Sequence, residues 1–163
     1  MTSAVLDEAL KKAALAWVTV GDLPAVGVWC MPLDGSLVVV TGPGEQFAPG
    51  LAEASRATVH LRGDTGGLIV IAEMTVSRLT PGTEEWTATA PQLAQKRLNA
   101  SGTAEQVVTR WAETGCAVVR LTPSDQDTTA PDLPSDSGAA APRETPARNE
   151  TRRPYRLHRV RRS

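Results

Sequence analysis

Apolar and β-branched residues are grouped along the first 122 positions into short runs, which turn-forming residues separate. Such runs, and alternations of apolar and polar residues, are typical of β-strands. Connections of about four residues join the first three runs and are too short for a parallel crossover, so we predict an antiparallel meander. Gly63–Gly67 predicts a hairpin turn further on. The pattern predicts six strands, at residues 17–20, 25–31, 37–40, 56–62, 68–79 and 116–122.

Helical periodicity occurs between and before these runs. Thr103–Gln106 fits the capping-box pattern, and Gly115 is placed to end the same helix in a left-handed conformation. Pro91 has no N–H and should kink or divide the helix that contains it. Helices are predicted at residues 4–16, about 45–55, 83–98 and 103–114. With so few helices and mostly antiparallel strands, a closed or partly open barrel leaves the fewest exposed strand edges.

Composition divides the 163 residues into two parts. The formal net charge of −1 conceals a change along the chain, from −3 over residues 1–122 to −4 over 123–151 and +6 over 152–163. From Pro123 onward small and polar residues dominate, and such a segment buries too little surface to offset its ordering entropy. We therefore predict one folded domain at residues 1–122 and a disordered tail at 123–163 with a basic end.

The two cysteines, Cys30 and Cys116, lie in apolar runs far apart in the sequence. They have no Cys-x-x-Cys partner, so we expect buried thiols in a reducing compartment rather than a disulfide framework or a zinc site. Charged residues interrupt the apolar pattern near the N-terminus, which excludes a signal-peptide core, and no apolar run approaches the roughly 18 residues of a membrane span. The expectation is a soluble, cytoplasmic protein.

Motifs of hydrolytic, nucleotide-dependent or metal-dependent enzymes do not occur: there is no Gly-x-Ser-x-Gly, Walker loop, His-Glu-x-x-His or dinucleotide fingerprint. His60 has no partner at metal-ligand or nucleophile spacing, and we predict no metal site. Lys96 and Arg97 either reach an anion or only end a helix, where cations are favoured. Three tryptophans either stack on a ligand ring or pack in the core: Trp29, Trp86 and Trp111.

One stretch combines a strand with a turn suited to an anion. The apolar run at 37–40 leads into Thr41-Gly-Pro-Gly44, a turn that Gly and Pro adopt without steric cost. A helix beginning directly afterwards would point free backbone N–H groups outward, which suits a phosphate. The alternative is an ordinary strand-to-helix connection.

The order of these features resembles the pyridoxamine 5'-phosphate oxidase-like family of flavin-binding split barrels. The resemblance rests on a helix, a strand, the Pro24 turn, a strand with Val28-Trp29, the Asp34-Gly35 turn, a strand and the Gly-Pro-Gly turn. It covers about residues 4–122 and is strongest over Pro24–Arg62, and the segments Gly63–Gly67 and Trp86–Asn99 look like an actinobacterial-type branch of the family. The expected fold is therefore mainly β with peripheral helices, a six-stranded antiparallel split β-barrel.

The resemblance implies a homodimer that holds flavin mononucleotide (FMN) in a groove between subunits. By position, the ring would lie against the segment from Gly27 to Trp29, and the phosphate beside the segment that follows the third predicted strand. Arg62, at the end of the fourth predicted strand, is a further candidate. The implied cofactor-binding residues are Gly27, Val28, Trp29, Thr41, Gly42, Gln46, Phe47 and Arg62.

The chain departs from the family where the phosphate-binding cations would lie, because Glu45, Gln46 and Phe47 occupy those positions. A charge-assisted hydrogen bond contributes about 1.5–3 kcal/mol, so losing two weakens binding by roughly 10²–10⁴. Glu45 is expected to add like-charge repulsion. The groups that could compensate are backbone N–H groups near Gly44, Arg62, or Lys96 or Arg97 of a second subunit.

Three functions follow as hypotheses. The first is a flavin-binding protein, with FMN or a deazaflavin, that acts as an oxidoreductase on an unidentified substrate; the cofactor would carry the reaction, which fits the lack of an acid–base constellation. The second is a cofactor-free dimeric module for a ligand or an interaction. In the third, the basic segment 152–163 contacts nucleic acid, to which charge alone gives sequence-independent affinity.

Overall fold

The computed structural model describes residues 4–63 and 67–128. The strands are β1 (Leu15–Thr19), β2 (Val26–Trp29), β3 (Met31–Leu33), β4 (Ser36–Thr41), β5 (Arg56–Arg62), β6 (Leu68–Arg78) and β7 (Ala117–Thr128), and the helices are α1 (Ala4–Lys12), α2 (Glu84–Lys96) and α3 (Ala104–Thr114). Within the described residues, the seven antiparallel strands form one continuous sheet in the order β2-β1-β5-β6-β7-β4-β3.

The sheet is a nearly closed barrel. Its two edge strands, β2 and β3, are consecutive in the chain, so the two edges of the sheet come together at the residue between them. The second predicted strand consists of β2 and β3, which Cys30 separates. The backbone N–H of Cys30 donates to the carbonyl of Ala14, the residue before β1, at 3.1 Å. The predicted fold class, a mainly β antiparallel barrel with peripheral helices, is confirmed, with seven strands where the pattern gave six.

Strand β4 explains the unbroken apolar run of the sequence, since it is buried on both faces. Leu37 and Val39 point into the barrel core, which also contains Val119 of β7. Val38 and Val40 belong to a second cluster, formed with the apolar faces of α2 and α3. The helices thus cover the outer face of the barrel at this strand.

The helices differ from the sequence prediction in their extent. Helix α1 ends at Lys12, before the predicted end at residue 16, because β1 already begins at Leu15. Helix α2 continues through Pro91 and is not divided there. Helix α3 has the predicted capping box between Thr103 and Gln106, and Gly115 ends it with φ = 75°.

The helix predicted at residues 45–55 does not form, and that prediction was wrong. The segment consists of turns, in which the N–H of Leu51 donates to the carbonyl of Ala48 and the N–H of Ala48 to the hydroxyl of Thr41. Gly44 and Gly50 have φ values of 78° and 73°, which a right-handed helix excludes. The proposed row of free N–H groups at a helix start therefore does not exist.

The last strand is longer than predicted. Strand β7 continues from Ala117 past residue 122 to Thr128, and Pro123 lies opposite Met74 of β6. The predicted boundary of the folded part therefore falls too early. Strands β5 and β6 pair antiparallel, and the N–H of Gly63 donates to the carbonyl of Gly67, whereas residues 64–66 of the predicted hairpin turn lie outside the described residues. The rest of the predicted tail, including its basic segment 152–163, lies outside the described residues.

Candidate functional site

A cleft of about 790 Å³ opens where β2 passes into β3, at the seam between the edge strands of the barrel. Four segments form its walls: the end of α1, the β2–β3 junction, the turn after β4 and the end of α2. Aromatic and apolar side chains line it at the β2–β3 junction, and the turn after β4 and the end of α2 contribute charged side chains, which are called the charged wall. The lining residues are Lys11, Ala13, Ala14, Trp29, Cys30, Met31, Pro32, Gly44, Glu45, Gln46, Lys96, Arg97 and Leu98.

A buried ion pair occupies the charged wall. The Nε–H of Arg97 donates to both carboxylate oxygens of Glu45, at 2.9 and 2.8 Å, and the indole Nε1–H of Trp111 donates to Glu45 Oε1 at 2.9 Å. The Glu45 side chain is 3% exposed and that of Arg97 19%. Arg97 thus compensates the charge that the sequence suggested would repel a phosphate.

Trp29 and Gln46 join the β2–β3 junction to the turn after β4. Gln46 Oε1 accepts a hydrogen bond from the backbone N–H of Trp29 at 2.8 Å, which ties the turn after β4 to the end of β2. The Trp29 side chain is half-buried and packs against the second core cluster. Trp86 and Trp111 are buried in that cluster, so for these two the core interpretation is confirmed.

The other residues implied by the resemblance do not line this cleft. Val28 points into the barrel core, and Gly27 lies beneath the ring of Trp17, which a Cβ there would meet at 3.6 Å. Thr41 is buried, and its hydroxyl accepts from the N–H of Ala48. A cofactor in the cleft could contact these residues only through their backbone or not at all.

Three further implied residues lie around or away from the cleft. Gly42 packs against Cys116, and Phe47 follows Gln46 with 70% of its surface exposed. Arg62 lies over the ring of Trp17, 5.6 Å from its centroid, and lines a second cleft of about 510 Å³ along α1. The structure therefore brings together Trp29 and Gln46 of the predicted set, beside Lys96 and Arg97.

The cleft has a positive charge that the sequence did not reveal. Lys11 and Lys96 are exposed on its rim, and the Glu45–Arg97 pair is neutral, so the lining carries a net charge of +2. Lys11 lies in the last turn of α1, far from the family motif, and no local signal marked it. Only the fold brings the end of α1 and the end of α2 to one opening.

Cys30 contributes a buried thiol to the floor of the cleft. Desolvation by burial raises its pKa to about 12 from the usual 9.0. Cys30 and Cys116 are both buried and unpaired, as predicted. The Cys30 thiol is therefore protonated at neutral pH and is neither a nucleophile nor a ready metal ligand.

We expect Cys30 to resist thiol reagents in the folded protein. In a Cys116→Ser background at pH 8, Cys30 should react at least ~10-fold more slowly with a disulfide reagent than after unfolding in denaturant, since thiolate and access are both lacking. Stopped-flow absorbance measures the two rates. Equal rates in the two states would contradict the buried, protonated thiol.

The described residues offer no metal centre. Within residues 4–63 and 67–128, no group of three or more His, Cys, Asp and Glu side chains could hold a metal ion. His60 is half-buried on β5, between Trp17 of β1 and Ile71 of β6. Over the same residues, no helix combines the length and the apolar character needed to cross a membrane.

No family model matches the sequence, and no curated protein matches it. Among solved structures, HutZ, the heme storage protein from Vibrio cholerae, superposes with a TM-score of 0.55 at 10% identity, over 75% of this chain and 89% of that one. The chain has the split-barrel fold. Also similar is an FAD-binding protein from Mesorhizobium loti, with a TM-score of 0.49 at 13% identity, over 78% of this chain and 90% of that one. The FAD and heme binding protein from Mycobacterium smegmatis has a TM-score of 0.47 at 18% identity, over 92% of this chain and 90% of that one.

The fold expected from the resemblance to the pyridoxamine 5'-phosphate oxidase-like proteins is thereby confirmed. The actinobacterial-type branch stays a prediction. At 10% identity, the likeness of this split barrel to HutZ establishes its fold alone. Its chemistry must be argued from the cleft.

Proposed function

We propose that this split barrel binds a flavin, FMN in the first instance, in the cleft at the β2–β3 seam, and acts as a flavin-dependent oxidoreductase on an unidentified substrate. The observation that supports this is the pairing of one aromatic and apolar wall with a cationic rim in a single cleft. A flavin has the matching halves, a planar ring and a phosphate. A deazaflavin has the same two halves and is the alternative cofactor.

The size and lining of the cleft suit the ring. Ligand pockets commonly measure about 300–1,000 Å³ and are mostly apolar with a few polar groups, and the cleft measures about 790 Å³. Trp29 offers an indole for stacking, and Pro32 and Leu98 offer apolar contact. Gln46 fixes the backbone at Trp29 and so orients this wall.

Cations are available in the cleft for the phosphate of the flavin, but they do not come from the positions that carry them in the family. Glu45 and Gln46 occupy those positions, and Glu45 is neutralised by Arg97. Lys11 and Lys96 on the rim leave a net positive field that favours an anion. The residues present therefore fit FMN. When bound, a flavin supplies two-electron transfer, and the chain's own residues bind the ring, orient it and exclude water.

Heme is the second ligand to weigh, because HutZ is described as a heme storage protein. Heme iron needs an axial ligand such as a histidine, thiolate, methionine or tyrosine. Cys30 lines the cleft, but burial raises its pKa to about 12, so the thiolate form is disfavoured. Met31 is buried in the second core cluster, and His60 does not line the cleft. The flavin is the better match.

The cleft also favours assembly with a second copy. Leu98, on its wall, is 85% exposed, and Phe47, beside Gln46, is 70% exposed. Large apolar side chains exposed around a binding cleft are typical of a surface that a partner covers. We propose a homodimer in which a second subunit covers the cleft and the flavin lies near the interface.

Titration of the purified protein with FMN tests the proposal. Trp29→Leu should weaken FMN binding about 10-fold, because stacking of a base on an aromatic residue contributes about 1–3 kcal/mol. Trp17→Leu is the matched control, since Trp17 is exposed on the barrel wall and does not line the cleft. Flavin fluorescence quenching gives both affinities. A colourless dimer that takes up neither FMN nor deazaflavin would instead favour the cofactor-free module.

A further inference from the structure

We propose that Arg97 is the anion-recognising residue of the cleft, with Glu45 and Trp111 as the residues that position it. This inference rests on the proposed function, because the anion concerned is the phosphate, or another charged oxygen group, of the ligand in that cleft. Arg97 would engage it through the edge formed by Nη1 and Nη2. The resemblance placed the anion-binding cations after the third predicted strand, whereas this one comes from the end of α2.

The hydrogen bonds of Arg97 leave that edge available. A guanidinium has five N–H donors, and it binds carboxylate or phosphate best through two parallel hydrogen bonds. Here the Nε–H makes the short bonds to Glu45. Among the described residues, Nη2 and Nη1 reach only backbone carbonyls, of Gly44 at 3.4 Å and of Leu98 at 3.5 Å. These two long contacts leave the remaining Nη donors for an acceptor in the cleft.

The side chains that position the guanidinium of Arg97 are themselves held in place. Glu45 is 3% exposed, and its Oε1 accepts hydrogen bonds both from the Nε–H of Arg97 and from the indole N–H of Trp111. Trp111 is buried in the second core cluster, on α3. Because the core fixes the carboxylate and the carboxylate fixes the guanidinium, little side-chain freedom remains for Arg97 to lose when an anion binds.

Lys96 is the natural comparison, since it precedes Arg97 and lines the same cleft. Its ammonium is exposed, and no positioning contact holds it among the described residues. Such a group attracts anions as a point charge but does not fix their geometry. We therefore expect substitutions of Lys96 and of Arg97 to affect anion binding differently.

The experiment compares FMN with riboflavin, which has the same ring without the phosphate. Arg97→Lys keeps the charge but removes the two-donor edge. It should weaken FMN binding about 10- to 100-fold and leave riboflavin binding unchanged, since a hydrogen bond to a charged group contributes about 1.5–3 kcal/mol. Lys96→Gln removes a rim charge that no contact among the described residues positions, and it should weaken FMN binding by only about 3-fold, because an exposed charge contributes less than about 1 kcal/mol. Circular dichroism confirms that each variant is folded.

A loss that is equal for FMN and riboflavin, or as large in Lys96→Gln as in Arg97→Lys, would overturn the role of Arg97. A wild type that binds neither flavin refutes the proposed function but still leaves this inference open to measurement. Inorganic phosphate is then titrated into ¹⁵N-arginine-labelled wild-type protein. A saturable shift of the Arg97 Nη signals supports the anion site, and no shift refutes it. The same titration decides the case if Arg97→Lys does not fold.

Discussion

Replacing Gly42 with alanine lowers the free energy of unfolding by about 3 kcal/mol. Gly42 has φ = 140°, in a region that residues with a side chain rarely adopt. A Cβ there would lie 2.9 Å from Cys116 Cα. The neighbouring pair Thr41 and Ala117 joins β4 to β7, so neither backbone can move without disturbing the barrel. Strain and overpacking each cost about 1–3 kcal/mol. Urea denaturation followed by circular dichroism measures the change.

Gly82→Ala is the control for this substitution. Gly82 also has a positive φ, of 85°, but a Cβ there would meet nothing within 4 Å. Its alanine variant should lose about 1 kcal/mol, from backbone strain alone. If the free energy of unfolding falls by the same amount in both variants, the contact between the turn and Cys116 does not contribute to stability, and the packing described for the Gly-Pro-Gly turn is wrong.

The second large effect is expected at the buried ion pair. Arg97→Leu removes the cation that compensates Glu45 and leaves a carboxylate that is 3% exposed. Breaking a buried pair from one side costs about 3–5 kcal/mol. Trp111 still donates to Glu45 and the cleft admits water, so we expect a loss near the lower limit, about 3 kcal/mol. Urea denaturation again gives the value.

The double variant Arg97→Leu with Glu45→Gln separates the charge from the packing. The neutral amide oxygen can keep the bond from Trp111, so the double variant should regain at least ~1 kcal/mol over the single one. The exposed i,i+4 pair between Glu8 and Lys12 is the control, and Glu8→Gln should leave the denaturation midpoint unchanged. A double variant less stable than Arg97→Leu would show that the charge of Glu45 is not what makes the single substitution costly.

Much of the barrel could be predicted because its signals are local. The run Leu37–Val40 is apolar at every position, and β4 is buried on both faces. The capping box at Thr103 and the left-handed Gly115 mark the ends of α3 within a few residues of sequence. Such features depend on neighbours in the chain, so one sequence suffices to identify them.

The predictions that were wrong share a physical cause. In each case the backbone conformation depends on features that the spacing of apolar residues along the chain does not encode. Residues 45–55 have helical spacing of apolar side chains, but Gly44 and Gly50 adopt left-handed conformations that a helix excludes. The end of β7 is polar in sequence and is a strand because β6 pairs with it.

Two of the residues that the resemblance implied, Trp29 and Gln46, line the cleft, but the charge of its lining differs from the one expected from the sequence. Glu45 appeared to repel a phosphate because its partner Arg97 is 52 residues away in the sequence. The two meet because α2 packs on the outer face of the barrel, beside the turn after β4. Trp29 and Gln46 were found from the family resemblance, whereas Lys11 had no signal at all, since only the folded barrel brings α1 to the cleft.

A crystal structure of the protein grown with FMN tests the central claim most directly. The account predicts the flavin ring against Trp29 at the β2–β3 seam, with its phosphate on the side of the cleft that Arg97 and Lys96 line. Flavin density elsewhere, for instance in the cleft between α1 and Arg62, or an empty seam at saturating FMN, would contradict it.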